Sequence, residues 1–197
     1  MAAKTGSAPE SSTDYIASIQ SIISNDPIRW QILRHVHRLG LPDCWIGAGF
    51  VRNAVWDHLH GRPISPLSTD VDVIWFDEEC CSALADRQAE ATLRDLDQSI
   101  DWSVKNQARM HLQNSDRPYL CSVDAMRYWP ETATAVAVRL GNNDVCEVAA
   151  PLGLDDLFQM IIRPTSRFTG EKQHIFQQRM ISKNWLATWP LLKFSDS

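Results

Sequence analysis

Trp45-Ile46-Gly47-Ala48-Gly49-Phe50-Val51-Arg52-Asn53, followed after a loop containing Pro63 and Pro66 by Thr69-Asp70-Val71-Asp72-Val73-Ile74-Trp75-Phe76-Asp77, is the stretch on which the reading of the chain turns. Its first part is an apolar run, Cys44 to Ile46, that ends at three small residues, after which Val51, Val55 and Leu59 recur at helical spacing until Gly61. This predicts strand, tight turn, helix. Such a turn presents backbone N–H groups to an anion with the positive end of the helix dipole behind them, and Arg52 adds a full charge in the first helical turn. The second part predicts a strand from Asp70 to Phe76, with Val71, Val73 and Trp75 on one face and Asp70, Asp72, Ile74 and Phe76 on the other. Two carboxylates on one face repel, and a divalent cation relieves that repulsion. Carboxylate and phosphate oxygens are the ligands Mg²⁺ prefers.

In this order the two parts resemble the core signature of the DNA polymerase β superfamily of nucleotidyltransferases. The resemblance implies an α/β (α+β) fold, a small mixed sheet flanked by helices. It also implies transfer of a nucleotidyl group from an NTP to an acceptor hydroxyl with release of pyrophosphate. Two metal ions, Mg²⁺ or Mn²⁺, would be held by the Asp pair and a third carboxylate on a later strand. Further runs, Lys105-Asn106-Gln107-Ala108-Arg109-Met110-His111, Trp129-Pro130-Glu131-Thr132-Ala133-Thr134-Ala135-Val136 and Gly153-Leu154-Asp155-Asp156-Leu157-Phe158, extend the likeness. With them the chain resembles an uncharacterised bacterial family of small nucleotidyltransferase-like proteins from about Ile28 to Leu192.

On that reading Asp70 and Asp72 are metal ligands. The nucleotide-binding set is Gly47, Ala48, Gly49, Arg52 and Asn53, joined by Lys105, Asn106, Gln107 and Arg109. The third carboxylate is Asp101, in the alternating run Ser99 to Val104, where it would complete the metal site and help activate the acceptor hydroxyl. Some relatives carry an acidic residue at the position of Ser103, so a site with only two carboxylates stands beside that reading. The Lys105–His111 run likewise has two readings: donors for a triphosphate or acceptor, or a capped helix whose polar side chains tie loops together. A protein that keeps the phosphate turn without the chemistry, as a nucleotide sensor or interaction module, is the alternative function.

Composition narrows the rest. The 197 residues, 44% apolar and 22% charged, suit a single soluble domain over residues 13–197 behind a disordered polar tail of residues 1–12. A net charge of −5 argues against a broad nucleic-acid surface; the acceptor is a small molecule, a protein or a tRNA, and of the last two the charge favours the protein. Five cysteines without CxxC spacing, no secretory signal and no apolar run of about 18 residues predict a reduced, cytoplasmic protein without a membrane span. Eight tryptophans are expected mainly in the core.

Along the chain, helices are predicted from Asp14, from Pro27 to Leu39, and over 78–98 with a mostly exposed surface. Later come a short helix capped by Ser122 and a hairpin of residues 132–140 and 145–149, in which Arg139 and Glu147 pair. Asp155 and Asp156 fall in a first helical turn, and a last helix covers 171–189. His35 and His37, two apart on a helix, diverge and do not share a metal. Arg179 and Lys183 project together from the last helix, toward a triphosphate or toward solvent.

Overall fold

The computed structural model describes residues 12–67 and 69–195. Nearly all of the predicted tail, residues 1–11, lies outside that range, and the first helix, α1, spans Ser12–Ser24. Helix α2 (Pro27–His37) starts with Pro27 behind the N-cap Asp26, whose side chain accepts hydrogen bonds from the Ile28 and Arg29 amides. Strand β1 (Trp45–Gly47) leads into α3 (Gly49–Leu59), and β2 covers Val71–Trp75. Then follow α4 (Ala83–Leu96), β3 (Trp102–Asn106), α5 (Gln107–Asn114) and α6 (Ser122–Met126). Strands β4 (Ala137–Leu140) and β5 (Cys146–Ala149) form the hairpin. The chain ends with α7 (Asp155–Phe158), β6 (Ile161–Ile162), α8 (Gln173–Lys183), α9 (Trp185–Thr188) and β7 (Lys193–Phe194).

Five strands form one mixed sheet in the order β3-β2-β1-β4-β5. Strand β1 is antiparallel to β2 and β4, whereas β2 and β3 run parallel with Val71 opposite Trp102 and Asp72 opposite Ser103. Alternation along β2 holds as predicted. Val71, Val73 and Trp75 join the main core with Ile46, Val104 and Val138, against the buried faces of α1 to α4. Ile74 lies on the opposite face with Trp45, Ala137 and Met126. The free edge of β3 is blunted by α4, where the Asp86 carboxylate accepts from the Asn106 amide at 2.9 Å.

Several boundaries moved. The helix predicted for 78–98 is shorter and buries Asp86, Ala89 and Leu93, because it covers β3 and is not merely a solvated surface. The strand predicted over 99–104 starts three residues later, and Cys121, not Ser122, caps α6. Residues 132–134 form a 3₁₀ turn ahead of β4. The last predicted helix breaks at Asn184, whose φ of 44° is left-handed and ends α8. Arg139 and Glu147 do pair, at 2.6 Å, which occupies Glu147 far from the acidic strand. His35 is buried and His37 bonds the Leu140 carbonyl at 3.0 Å.

Candidate functional site

The turn between β1 and α3 owes its shape to contacts that only small residues permit. A Cβ on Gly47 would lie 2.6 Å from Cη2 of Trp129, and one on Gly49 would lie 2.7 Å from Oγ1 of Thr69. Ala48 between them has φ 54° and ψ −123°, a backbone conformation that suits glycine far better than alanine. It is held there by its amide, which donates to the Val136 carbonyl at 3.0 Å, and by its carbonyl, which accepts from the Arg52 amide at 3.0 Å. No side chain caps α3. The Val51 amide donates to the Ala48 carbonyl at 3.3 Å, and the Gly49 and Phe50 amides are left for solvent or an anion.

Asp72 lines the same cleft as Ala48, a space of about 240 Å³ that is also bordered by Ser103, Lys105, Gln107, Trp129, Thr134 and Arg179. Burial, and then the neighbouring Asp70 charge, push the Asp72 carboxyl up to about 6, while Arg179, Lys183 and Arg52 pull it back. Among the described residues, neither the Asp70 nor the Asp72 carboxylate has a hydrogen-bond donor or a paired cation. Two carboxylates that repel, without partners, beside an uncapped helix start, have the chemistry of a hard-cation and phosphate site.

Asp101 is a different matter. The Val71 amide donates to the Asp101 carbonyl at 2.7 Å, which sets Asp101 beside Asp70, while the residue level with Asp72 is Ser103. Asp70 and Asp101 border a separate recess of about 290 Å³ with Leu67, Thr69, Ser99 and Ile100. Among the described residues no three His, Cys, Asp or Glu side chains come together as a metal-binding group. In this register Asp101 is level with Asp70 and one step outward from Ser103, the residue level with Asp72.

The expected nucleotide contacts also sort into two groups. Gly47, Ala48, Gly49, Lys105 and Gln107 are at the turn or the cleft. Arg52 and Asn53 are buried under the turn: Nη1 of Arg52 donates to Thr134 Oγ1 at 2.8 Å, and Nη2 to Asn53 Oδ1 at 2.9 Å. The Arg52 guanidinium lies 4.2 Å from the Trp185 ring, and burial lowers its pKa to about 10, so it stays a cation at neutral pH. Asn106 has no polar atom left for a ligand. Its Nδ2 donates to the Asp77 and Cys80 carbonyls at 2.8 and 2.9 Å, and its Oδ1 accepts from the Ala108 amide at 2.9 Å as the cap of α5. Arg109 pairs with the buried Asp86. For these two the capped-helix reading is the one observed.

Sequence reasoning gave no site role to Glu131 or Thr134 and left Arg179 and Lys183 undecided. Glu131 is 1% exposed and accepts from Nε of Arg179 at 2.6 Å. The only signal was the spacing of Arg179 and Lys183; nothing local shows that α8 returns to the turn.

These features define a class: a sheet whose phosphate-type turn and acidic strand share one cleft. Residues 34–194 match the model of a nucleotidyltransferase family, and the chain belongs to that family. It is 34% identical to an NMR structure of a CCA-adding enzyme head domain, with a TM-score of 0.82 over 92% of this chain and 96% of that one. More distant likenesses are a CCA-adding enzyme in complex with CTP, 14% identical with a TM-score of 0.52 over 91% of this chain, and the Thermotoga maritima CCA-adding enzyme in complex with tRNA, also 14% identical, with a TM-score of 0.51 over 91%. The chain spans 43% and 42% of those two proteins. None of the curated proteins matches the sequence.

Proposed function

We propose that this nucleotidyltransferase moves a nucleotidyl group from an NTP to an acceptor hydroxyl, with a divalent cation, Mg²⁺ or Mn²⁺, on Asp70 and Asp72. The observation that carries the reading is the unpartnered pair itself, held next to the Gly47–Gly49 turn and facing the charges of Arg52, Arg179 and Lys183. A cation held by one or two carboxylates plus substrate phosphates is the ordinary way Mg²⁺ is bound by nucleotide enzymes. It would neutralise charge on the α-phosphate and polarise the acceptor oxygen.

The turn and the start of α3 would hold the β- and γ-phosphates through backbone N–H groups. Lys105 and Gln107 on the facing wall would border the rest of the nucleotide. The acceptor would enter by the recess that Asp70 and Asp101 line, and Asp101 would take the hydroxyl proton as the oxygen bonds to the α-phosphorus and the bond to the β-phosphate breaks. Most of the acceleration would come from positioning and fixed charge. With a net charge of −5, a small molecule or a protein side chain is favoured as acceptor over tRNA.

Incubation with [α-³²P]NTPs, Mg²⁺ and fractionated cell extract tests this. Label should enter one fraction with the wild type and none with Asp72→Asn. Equal labelling by the folded Asp72→Asn protein would exclude the assignment. Ser103 level with Asp72 favours a second reading, a nucleotide-binding module without turnover, whose mark would be Mg²⁺-dependent NTP binding with no labelled product.

A further inference from the structure

Glu131 is an odd residue to find beside an anion site. Its side chain is 1% exposed, and its charge opposes phosphate. Its backbone is fixed from both sides: the Thr132 amide donates to the Arg163 carbonyl and the Thr165 amide to the Pro130 carbonyl, each at 3.0 Å, and Glu131 itself bridges Pro164. From that fixed point its Oε1 accepts only Nε of Arg179, at 2.6 Å, while Oε2 is buried without a donor. A relaxed arginine–carboxylate pair is usually two-pronged. Here the second prong is turned away.

What it turns toward is the cleft. Arg179 borders the cleft together with Ala48 and Asp72, and among the described residues its Nη1 and Nη2 make no hydrogen bond. The guanidinium lies 5.7 Å from the Trp185 ring, the same ring that meets Arg52 at 4.2 Å. Helix α8 buries no residue fully but rests on the main core through Phe176 and Met180, and the contacts that set the direction of the Arg179 side chain are the Glu131 pair and the Trp185 ring.

We infer that Glu131 is a positioning residue that grips Nε of Arg179 and thereby presents its two terminal nitrogens as a fork for phosphoryl oxygens of the NTP. The inference rests on the nucleotidyl-transfer reading and adds the residue that contacts the phosphates and the residue that aims it. A planar fork suits two oxygens of one phosphate, which a lysine at the same place does not. Glu131 works through the geometry of one oxygen, so a neutral residue with an oxygen in the same place preserves the effect.

Inorganic tripolyphosphate with Mg²⁺ is the probe, because it carries the phosphates without base or sugar, and calorimetry on the full chain reads its binding. Arg179→Ala should weaken binding at least 30-fold and Arg179→Lys at least 10-fold, with both variants folded because Arg179 is on a helix without buried residues. Glu131→Gln, which keeps an acceptor for Nε, should bind within about 3-fold of the wild type or more tightly, whereas Glu131→Leu should resemble Arg179→Ala. Wild-type affinity in both Arg179 variants, or a loss in folded Glu131→Gln as large as in Glu131→Leu, would overturn the inference and leave the transfer reading standing. Failure of the wild type to bind either tripolyphosphate or any Mg·NTP would overturn both.

Discussion

Asp72 carries an ionisation penalty that can be measured without a substrate. Its pKa is raised from 3.8 to about 6, so the folded state holds a proton that the unfolded chain releases between those values. The stability tied to that proton is fully present below about pH 4 and is lost as pH rises through about 6, on the order of 2 kcal/mol. Asp72→Asn is neutral at every pH. At pH 7.5 it should melt about 5 °C above the wild type, a gap that closes near pH 4 and narrows when Mg²⁺ is added to the wild type. Equal melting temperatures at pH 7.5 would mean that Asp72 is not held against its charge. Ala48 stores strain of another kind. Ala48→Gly relieves a φ of 54° with ψ −123°, against the greater freedom of glycine in the unfolded chain, and should stabilise the fold by about 1 kcal/mol in urea denaturation. A destabilisation would show that the Ala48 methyl packs more than its backbone strains.

Among the elements, the β2–β3 ladder decides what the acidic strand can hold. The register puts Ser103, not a carboxylate, level with Asp72, and that names a substitution to make. Ser103→Asp adds a carboxylate on the same face as Asp72 and should raise Mn²⁺ affinity at least 10-fold by titration, and product formation with it if the third ligand limits turnover. Unchanged affinity would place the cation away from β3. The alternation of β2, the α2 start at Pro27 and the small-residue turn were legible in the sequence because each is a local effect of period, cap or steric size. The edge of β3 was not: Asp101 fitted the alternating pattern, but a register depends on the partner strand, which local sequence does not reveal. Asn106 and Arg109 looked like ligand donors for the same reason, since their partners Asp77, Cys80 and Asp86 come from the preceding loop and helix.

At the scale of the molecule, the site is closed by parts far apart in the chain. Ala48 of the turn, Asp72 of the acidic strand and Arg179 of α8 meet at one cleft, with Glu131 behind Arg179. The family match over residues 34–194 spans all of them. Trp56, Trp185 and Trp189 pack edge to face with ring centroids 5.5 and 5.3 Å from Trp56, which ties α9 and the segment after it to α3. The prediction that most tryptophans serve the core holds for these three, for Trp45, Trp75 and Trp102, all buried. All five cysteines are free thiols, and among the described residues no helix is long and apolar enough to cross a membrane. The measurement that tests the central claim most directly is pyrophosphate release from each of the four NTPs with Mg²⁺ or Mn²⁺, with cell extract as the acceptor pool. The account predicts release from a preferred NTP that depends on the cation and on the acceptor and vanishes in Asp72→Asn. Release that persists undiminished in a folded Asp72→Asn protein, or none from a wild type that binds NTP, would contradict it.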